Sequence, residues 1–389
     1  MKAYNNWIKN LKNKGKEFRF ENDKNVDPDK AMPILDRIKK YSNHRNWLMK
    51  KFVLFNFLLL LLFGCKDDTN MIKCKGIPDV NQAFAYMYFK TEYEGYLFGT
   101  YTEYEELSEK ELENPNNTPK STDEANIYKT IDGGKNWVKI NSSLNYSYFN
   151  IGTQLNDYIY ILRNDVRENY NFSIVAFNIK KENIKNYTNI KPISAIWTNN
   201  SKIFYTNNRG PIKLYSLDKN QNIDSIDIEN YALQGLGINE KSYAIFSSGE
   251  TSYFGSTEKE NKEIRLSIMP QSIVRQDNNT IIIAGNTLTD KNEISLISYK
   301  PNARQSRVIK KIKNYSIIKN LQSNDKAIIG FIGNIKGAFT EYDLLYSLDK
   351  GKTWQIKKLE EPNYVRPNCL INNIVYIYSG GARMQKIVL

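Results

Sequence analysis

Short apolar stretches, rich in β-branched and aromatic residues, alternate with polar turns over most of the chain. This pattern is typical of β-strands, and no stretch shows a sustained 3.6-residue apolar repeat, so we expect few helices. Seven stretches recur along the chain, with cores at residues 96–100, 158–162, 202–206, 242–246, 280–284, 326–330 and 373–378. After a first interval of 62 residues, which contains an insertion, the cores begin 38–47 residues apart.

The spacing of these cores predicts the fold. A four-stranded propeller blade takes about 40–45 residues. The sequence therefore predicts an all-β protein, a β-propeller of four-stranded antiparallel blades, over residues 77–389. Seven cores indicate seven blades, and six blades stay open if one repeat is miscounted. If residues 385–389 form the third strand of the last blade, residues 70–75 can supply its fourth strand and close the ring.

Two polar turns, which we name the Asp turns, share one pattern. Residues 130–137 and 347–354 both have Ser/Thr-x-Asp-x-Gly-x-x-Trp, and both follow a strand that contains tyrosine. The aspartate can accept hydrogen bonds from backbone N–H groups, and the glycine can adopt a left-handed conformation. The tryptophan can fold back over the turn and pack between blades. We interpret both aspartates as structural.

The Asp turns resemble the Asp-box, or BNR repeat, of sialidase-like propellers. The resemblance implies structural roles for Thr130, Asp132, Gly134, Trp137, Ser347, Asp349, Gly351 and Trp354. It also implies that these turns join the third and fourth strands of a blade, on the face opposite the ligand site. Residues 215–220 resemble a third copy without the glycine and tryptophan. Residues 95–99 followed by 130–137 are similar to the blade pattern of photosystem II assembly factors, which are non-catalytic propellers.

A targeting signal is predicted near the N-terminus. A positive start at residues 49–51 precedes twelve residues, 52–63, that are apolar apart from Asn56. As a helix they span about 18 Å, which is too short for a hydrocarbon core of about 30 Å. Together with Gly64-Cys65 they resemble a lipoprotein signal peptide, residues 49–64, with Cys65 as the lipidated residue. A buried strand or an uncleaved anchor are the alternatives.

The flanking segments complete the predicted organisation. Residues 1–48 are interpreted as a mis-called extension, because signal peptides lie at the N-terminus. Residues 65–76 form a tether and the closing strand. Asp67 and Asp68, just behind Cys65, resemble a surface-export tag, with a plain tether as the alternative. The resemblance implies an outer-membrane lipoprotein of a Gram-negative bacterium that faces the cell exterior.

The net charge of +13 does not indicate nucleic-acid binding once it is mapped. Residues 1–64 carry 14 Lys or Arg and 6 Asp or Glu, whereas residues 65–389 carry 41 and 36, interspersed along the chain. The one histidine, His44, precedes the predicted signal. Histidine-dependent hydrolase, protease and zinc chemistry are thereby excluded from the mature chain. No phosphate-binding loop or calcium loop is present, and we expect no cofactor and no metal.

Two cysteines remain if Cys65 is lipidated, namely Cys74 and Cys369. They lie near opposite ends of the mature chain, where ring closure would bring them towards one blade. A disulfide between them and a pair of free thiols are both open at this point.

The predicted function is that of a monomeric binding module anchored to the membrane by its lipid. Its partner would be a protein or a glycan, and no catalytic residue is assigned. An acidic insertion, residues 101–125, lies between the second and third strands of the first blade, as a solvated loop or a partner-docking loop. The alternative is a divergent glycoside hydrolase of the sialidase clan. That clan uses three arginines, and Arg163, Arg209 and Arg275 are the residues from which a triad could be assembled.

Overall fold

The computed structural model describes most of one compact unit, Asp68–Leu389. The described residues are 69–106, 120–141, 144–165, 171–190, 193–207, 212–218, 222–247, 251–257, 263–264, 266–336, 339–363 and 365–389. They form strands and turns throughout, and within them no helix is long and apolar enough to cross a membrane.

The strands form seven antiparallel sheets of at least four strands each, so the protein is a seven-bladed β-propeller. Blade 1 comprises β2 (Gln82–Phe89), β3 (Gly95–Tyr104), β4 (Ser121–Thr130) and β5 (Val138–Lys139), with β6 (Leu144–Asn145) also paired to β4. Blade 2 comprises β7 (Ser147–Leu155), β8 (Tyr158–Asp165), β9 (Asn171–Asn178) and β10 (Asn183–Ile190). Blade 3 comprises β11 (Ile193–Thr198), β12 (Lys202–Asn207), β13 (Lys213–Asp218) and β14 (Ile223–Asp227).

Blade 4 comprises β15 (Tyr231–Ile238), β16 (Lys241–Ser247), β17 (Ser252–Ser256) and β18 (Glu263–Ile264). Blade 5 comprises β19 (Ile268–Asp277), β20 (Thr280–Thr287), β21 (Glu293–Lys300) and β22 (Gln305–Lys313). Blade 6 comprises β23 (Ile317–Ser323), β24 (Ile328–Lys336), β25 (Phe339–Ser347) and β26 (Gln355–Lys358). Blade 7 comprises β27 (Asn368–Ile371), β28 (Ile374–Gly380), β29 (Arg383–Val388) and β1 (Thr69–Lys73).

The seven cores predicted from the sequence all fall on the second strand of a blade, β3, β8, β12, β16, β20, β24 and β28. The core at 326–330 begins two residues before its strand, and the core at 373–378 begins one residue before its strand. These strands are the most uniformly buried because each has a neighbouring strand on both sides and a blade against both faces. In β20, for example, every residue is buried.

The predicted ring closure is confirmed. β1 pairs antiparallel with β29, from Thr69 opposite Ile387 to Lys73 opposite Arg383. After β1, the Cys74 N–H donates to the Ala382 carbonyl of blade 7 at 2.7 Å, and the Lys75 N–H then donates to the Lys135 carbonyl of blade 1 at 2.8 Å. Blade 7 is therefore built from both ends of the folded unit.

The hydrophobic core is divided into seven clusters, one at each seam between neighbouring blades. The cluster between blades 7 and 1 includes Phe89 and Tyr376, whose rings stack at 4.0 Å, together with Trp137. Apolar side chains must point to both faces of each strand to fill two seams, which explains why the strands have continuous apolar runs.

The first strands of the blades line the centre of the ring and carry β-bulges. The register shifts in the first strand of each of blades 1 to 6. Glutamine side chains near the bulges join neighbouring blades. Gln234 Oε1 accepts a hydrogen bond from the Ser272 hydroxyl at 2.9 Å, and Gln271 Oε1 accepts one from the Ile318 N–H at 2.8 Å. Gln322 Oε1 accepts one from the Leu370 N–H at 3.1 Å.

Candidate functional site

The strand order defines two faces of the propeller. Because each blade is an antiparallel meander, its connections alternate between two ends. We call one end the turn face; it carries the connections between first and second strands and between third and fourth strands. The other end, the hairpin face, carries the connections between second and third strands. Both Asp turns lie on the turn face, between β4 and β5 and between β25 and β26.

The first Asp turn is held by its own side chains. Asp132 Oδ1 accepts hydrogen bonds from the backbone N–H groups of Lys135 and Asn136, at 3.1 and 2.9 Å. The Thr130 hydroxyl donates to the same oxygen at 2.9 Å and accepts from the Gly134 N–H at 3.0 Å. Gly134 has φ of 91°, in the left-handed region. The Trp137 indole N–H donates to the Gly134 carbonyl at 2.8 Å.

The second Asp turn repeats these contacts. Asp349 Oδ1 accepts from the N–H groups of Lys352 and Thr353 at 3.1 and 2.8 Å. The Ser347 hydroxyl donates to Asp349 at 2.8 Å and accepts from the Gly351 N–H at 2.7 Å. The Trp354 indole N–H donates to the Gly351 carbonyl at 3.0 Å.

The decayed third copy keeps part of this geometry. It lies between β13 and β14 of blade 3, the same place that the two Asp turns occupy in their blades. Asp218 accepts hydrogen bonds from the Asn222 N–H and side-chain amide at 2.9 and 3.0 Å. The position four residues after the aspartate is thus the partner in all three turns.

The Asp-turn carboxylates are held in their charged form by these donors. The side-chain and backbone hydrogen bonds from Thr353 lower the pKa of Asp349 to about 2. At Asp132 desolvation opposes the shift, but the hydrogen bonds from Asn136 and Thr130 outweigh it and the pKa is lowered. A carboxylate that is saturated with donors of its own turn is a poor general acid or base at neutral pH.

The structure does not bring the described candidate arginines together. Arg163 lies on β8 of blade 2, where its guanidinium contacts Asp165 at 3.2 Å near the hairpin face. Arg275 lies on β19 of blade 5, and its Nε donates to the Asp277 carbonyl at 3.3 Å near the turn face. Arg209 is outside the described residues. Arg163 and Arg275 therefore belong to distant blades and to opposite faces.

Cys74 and Cys369 are buried free cysteines, and the bridge considered from the sequence is not formed. Cys369 lies on β27 and Cys74 directly follows β1, which are the two edge strands of blade 7. Three strand spacings, about 14 Å, separate these edges, whereas a disulfide requires Cα atoms within about 7 Å. Cys369 Sγ instead accepts a hydrogen bond from the Phe89 N–H at 3.3 Å. Burial raises the pKa of Cys74 to about 12 and that of Cys369 to about 11.

The hairpin face carries exposed apolar side chains at the tips of several blades. Tyr104 of blade 1 is 52% exposed, and Leu288 of blade 5, Ile335 and Phe339 of blade 6 are each 67% exposed. The insertion predicted as a loop is partly strand, because β3 and β4 extend their pairing from Tyr101 opposite Glu124 to Tyr104 opposite Ser121. The inner part of the insertion, residues 107–119, lies outside the described residues.

Other predicted features are only partly covered. Cys65 and the signal segment 49–64 lie outside the described residues, as does the extension 1–48. In the part of the chain that the structure covers, no group of three or more His, Cys, Asp or Glu side chains is placed to hold a metal ion. The sequence analysis did not predict that Leu288, Ile335 and Phe339 are exposed. The signal that could have indicated this is the position of each apolar residue next to a polar hairpin turn.

Solved structures resemble this chain in fold. An oligogalacturonate lyase in complex with manganese is 10% identical, with a TM-score of 0.51 and coverage of 82% of this chain and 98% of that one. A catalytically inactive virginiamycin B lyase from Staphylococcus aureus is 11% identical, with a TM-score of 0.49 and coverage of 82% and 99%. The β-propeller domain of the trilobed protease from Pyrococcus furiosus is 10% identical, with a TM-score of 0.48 and coverage of 76% and 91%.

The comparison with the oligogalacturonate lyase supports the propeller fold and, at this identity, nothing about activity. No protein-family model matches the chain. No curated protein matches it.

Proposed function

We propose that this protein is a monomeric, lipid-anchored binding module of the Asp-box propeller class, which holds a protein partner on its hairpin face and catalyses no reaction. Lipidated Cys65 anchors it to the outer membrane of a Gram-negative bacterium, with the propeller on the exterior. The hydrogen bonds of the Asp turns support the assignment to this class.

The observation that carries the binding role is the set of exposed apolar side chains on one face. Tyr104, Leu288, Ile335 and Phe339 are large and more than half exposed, and they lie at strand ends or, for Leu288, in a connection on the hairpin face. Exposed apolar side chains grouped on one surface mark sites of macromolecular contact. Aromatic anchors contribute most of the energy of such contacts.

Charge on the same face indicates the chemistry of the partner. Glu103, Glu105 and Glu106 flank Tyr104 in the sequence at the end of β3, and all three are accessible to solvent. Like charges at the rim of an interface increase the rate of association with an oppositely charged surface. The partner is therefore expected to present an apolar patch with a basic rim.

The test is site-specific photo-crosslinking in intact cells of the source bacterium. A photoreactive residue replaces Phe339 on the hairpin face or, as the control, Ile223, which is 51% exposed on the outer strand β14. We expect a discrete adduct from position 339 alone. Once the adduct is identified, the purified partner should bind the wild type at least tenfold more tightly than Ile335→Ser/Phe339→Ser. Equal labelling from both positions would contradict the proposal.

A mixed glycan panel that includes sialosides, read by mass spectrometry, tests the alternatives. Release of a monosaccharide would establish a glycoside hydrolase and overturn the non-catalytic role. Retention of an intact glycan on the hairpin face would replace the protein partner by a sugar. Metabolic labelling with a fatty-acid analogue tests the anchor, since Cys65→Ala should abolish the label.

A further inference from the structure

A groove lies at the seam between blades 7 and 1, where β1 and the residues that follow it meet two turn-face connections of blade 1. It has a volume of about 600 Å³. One wall is β1 with the residues that follow it, and the other is the first Asp turn. The walls are joined by backbone hydrogen bonds, from Lys75 N–H to the Lys135 carbonyl and from Trp137 N–H to the Lys75 carbonyl, both at 2.8 Å. The groove is therefore a rigid part of the ring closure.

The groove is rich in lysine. Lys73, Lys75, Lys135 and Lys386 all line it, and within the described residues none of them forms an ion pair with a carboxylate. Two acidic residues, Glu92 and Asp132, also line it, but Asp132 is saturated by the donors of its own turn. The surface therefore presents a net positive charge to solvent.

Exposed apolar side chains lie beside these lysines. Met71 and Tyr93 line the groove and are 36% and 65% exposed, and Ile131, next to Asp132, is 74% exposed. The Gly133 N–H donates to the Tyr93 carbonyl at 2.9 Å, which fixes the two turns against each other. Aliphatic and aromatic side chains mixed with lysines are typical of surfaces that lie in the headgroup region of a bilayer.

The position of β1 relates this surface to the proposed anchor. β1 begins at Thr69 on the turn face, opposite Ile387 near the end of β29. Cys65 precedes Thr69 by four residues, which span at most about 14 Å when fully extended. A lipid on Cys65 would hold the turn face of blade 7 within this distance of the membrane.

We infer that the groove and the adjoining side chains Tyr93 and Ile131 form a docking surface for an anionic lipid bilayer. Lysine ammonium groups bind lipid phosphates while the apolar side chains enter the headgroup region. The inference rests on the proposed lipid anchor only for the orientation of the surface towards the membrane. The surface itself consists of described residues of the propeller. The hairpin face would then point away from the membrane.

Vesicle sedimentation tests the docking surface on protein that lacks the lipid anchor. The compact unit 68–389 contains all seven blades, so it can be used alone. We expect it to bind vesicles that contain phosphatidylglycerol, with loss of binding at high salt, and to ignore pure phosphatidylcholine. The Lys73→Gln/Lys135→Gln variant should lower the partition coefficient about fivefold for each lysine. Lys350→Gln/Lys352→Gln in the second Asp turn is the matched control, because both lysines are exposed and, among the described residues, neither is paired with a carboxylate.

A second measurement uses the lipidated full chain on the same vesicles. An environment-sensitive fluorophore is attached at Ile131→Cys or, as the control, at Ile223→Cys, while buried Cys74 and Cys369 remain unlabelled. We expect a blue shift on vesicles at position 131 alone. Water-like emission at both positions, or equal partitioning of the lysine variants, overturns the docking surface. If the fatty-acid label at Cys65 is absent while the vesicle results are as expected, the proposed lipid anchor is wrong and the docking surface is supported.

Discussion

Replacing Trp137 by alanine tests whether the closure seam limits the stability of the ring. The Trp137 side chain is only 3% exposed, and its ring packs edge-on against Phe89 at 6.2 Å. It belongs to the cluster between blades 7 and 1, with Cys74 and Met384. Trp354 holds the equivalent place in the second Asp turn but is half-buried. The chain thus contains its own matched control.

The expected effects differ because the two rings differ in burial. A buried tryptophan replaced by alanine costs about 3–5 kcal/mol in free energy of unfolding, through lost transfer energy and the cavity that remains. For half-buried Trp354 the loss should be about half as large. Trp137→Ala also loosens the packing around Lys75, where the chain end joins blade 1. We therefore expect Trp137→Ala to be the more destabilising by about 2 kcal/mol.

Urea denaturation of residues 68–389, followed by circular dichroism, measures the difference. The slopes of free energy against urea concentration must agree between variants, so that the midpoints report stability. Trp137→Phe separates ring volume from the indole hydrogen bond and should cost about 1 kcal/mol for the unpaired Gly134 carbonyl, in addition to its smaller ring. Equal losses for Trp137→Ala and Trp354→Ala would refute the argument from burial.

Three further predictions concern the two thiols and Gly285, the glycine with the least space for a Cβ atom. A thiol reagent at pH 8 should label neither Cys74 nor Cys369 in the native unit, but both under denaturant without reductant; a count of zero under denaturant would mean a disulfide. Burial raises both thiol pKa values, so above about pH 9 the unfolded state loses thiol protons that the folded state keeps. The free energy of unfolding should therefore fall from about pH 9 towards pH 11, by up to about 1.4 kcal/mol per pH unit for each thiol. Urea titrations across this range should show a shallower fall for Cys74→Ala/Cys369→Ala. Gly285→Ala should cost about 3 kcal/mol in the same urea assay, since its Cβ would lie 1.9 Å from the Met269 carbonyl oxygen, whereas Gly255→Ala, with its nearest neighbour at 3.5 Å, should stay within about 1 kcal/mol of the wild type.

The blades could be predicted from the sequence because the second strand of each blade is buried on both faces. A strand in that position needs an uninterrupted apolar run, and such runs stand out from the polar turns around them. The closing strand β1 followed from counting, since a last blade that ends with its third strand needs a partner for the exposed edge of β29.

The centre of the ring could not be predicted in the same way. The bulges of the first strands depend on how neighbouring blades approach each other, and the sequence of one strand does not contain that distance. Gln234 and Gln322 are ordinary polar residues in a sequence, yet in the structure they satisfy backbone groups of the next blade. Glutamine can serve this purpose because its amide both donates and accepts.

The cysteines show a different limit of the sequence argument. Ring closure correctly placed Cys74 and Cys369 in the same blade, and the two residues do share one apolar cluster. However, a disulfide depends on a few ångströms between two backbones, and sequence spacing gives only the blade. The same limit applies to the arginines, because their spacing in the sequence does not determine the face on which a side chain lies.

The end at which the closing strand begins follows from topology. β29 ends on the turn face, and any strand that pairs antiparallel with it must begin there. A closing strand supplied by the N-terminal side of the folded unit therefore always begins on the turn face. The connections between second and third strands then lie at the opposite end, where Tyr104, Ile335 and Phe339 are exposed. With the proposed anchor at Cys65, this closure would direct the hairpin face away from the membrane for any partner, and reversing it would require a parallel closing strand.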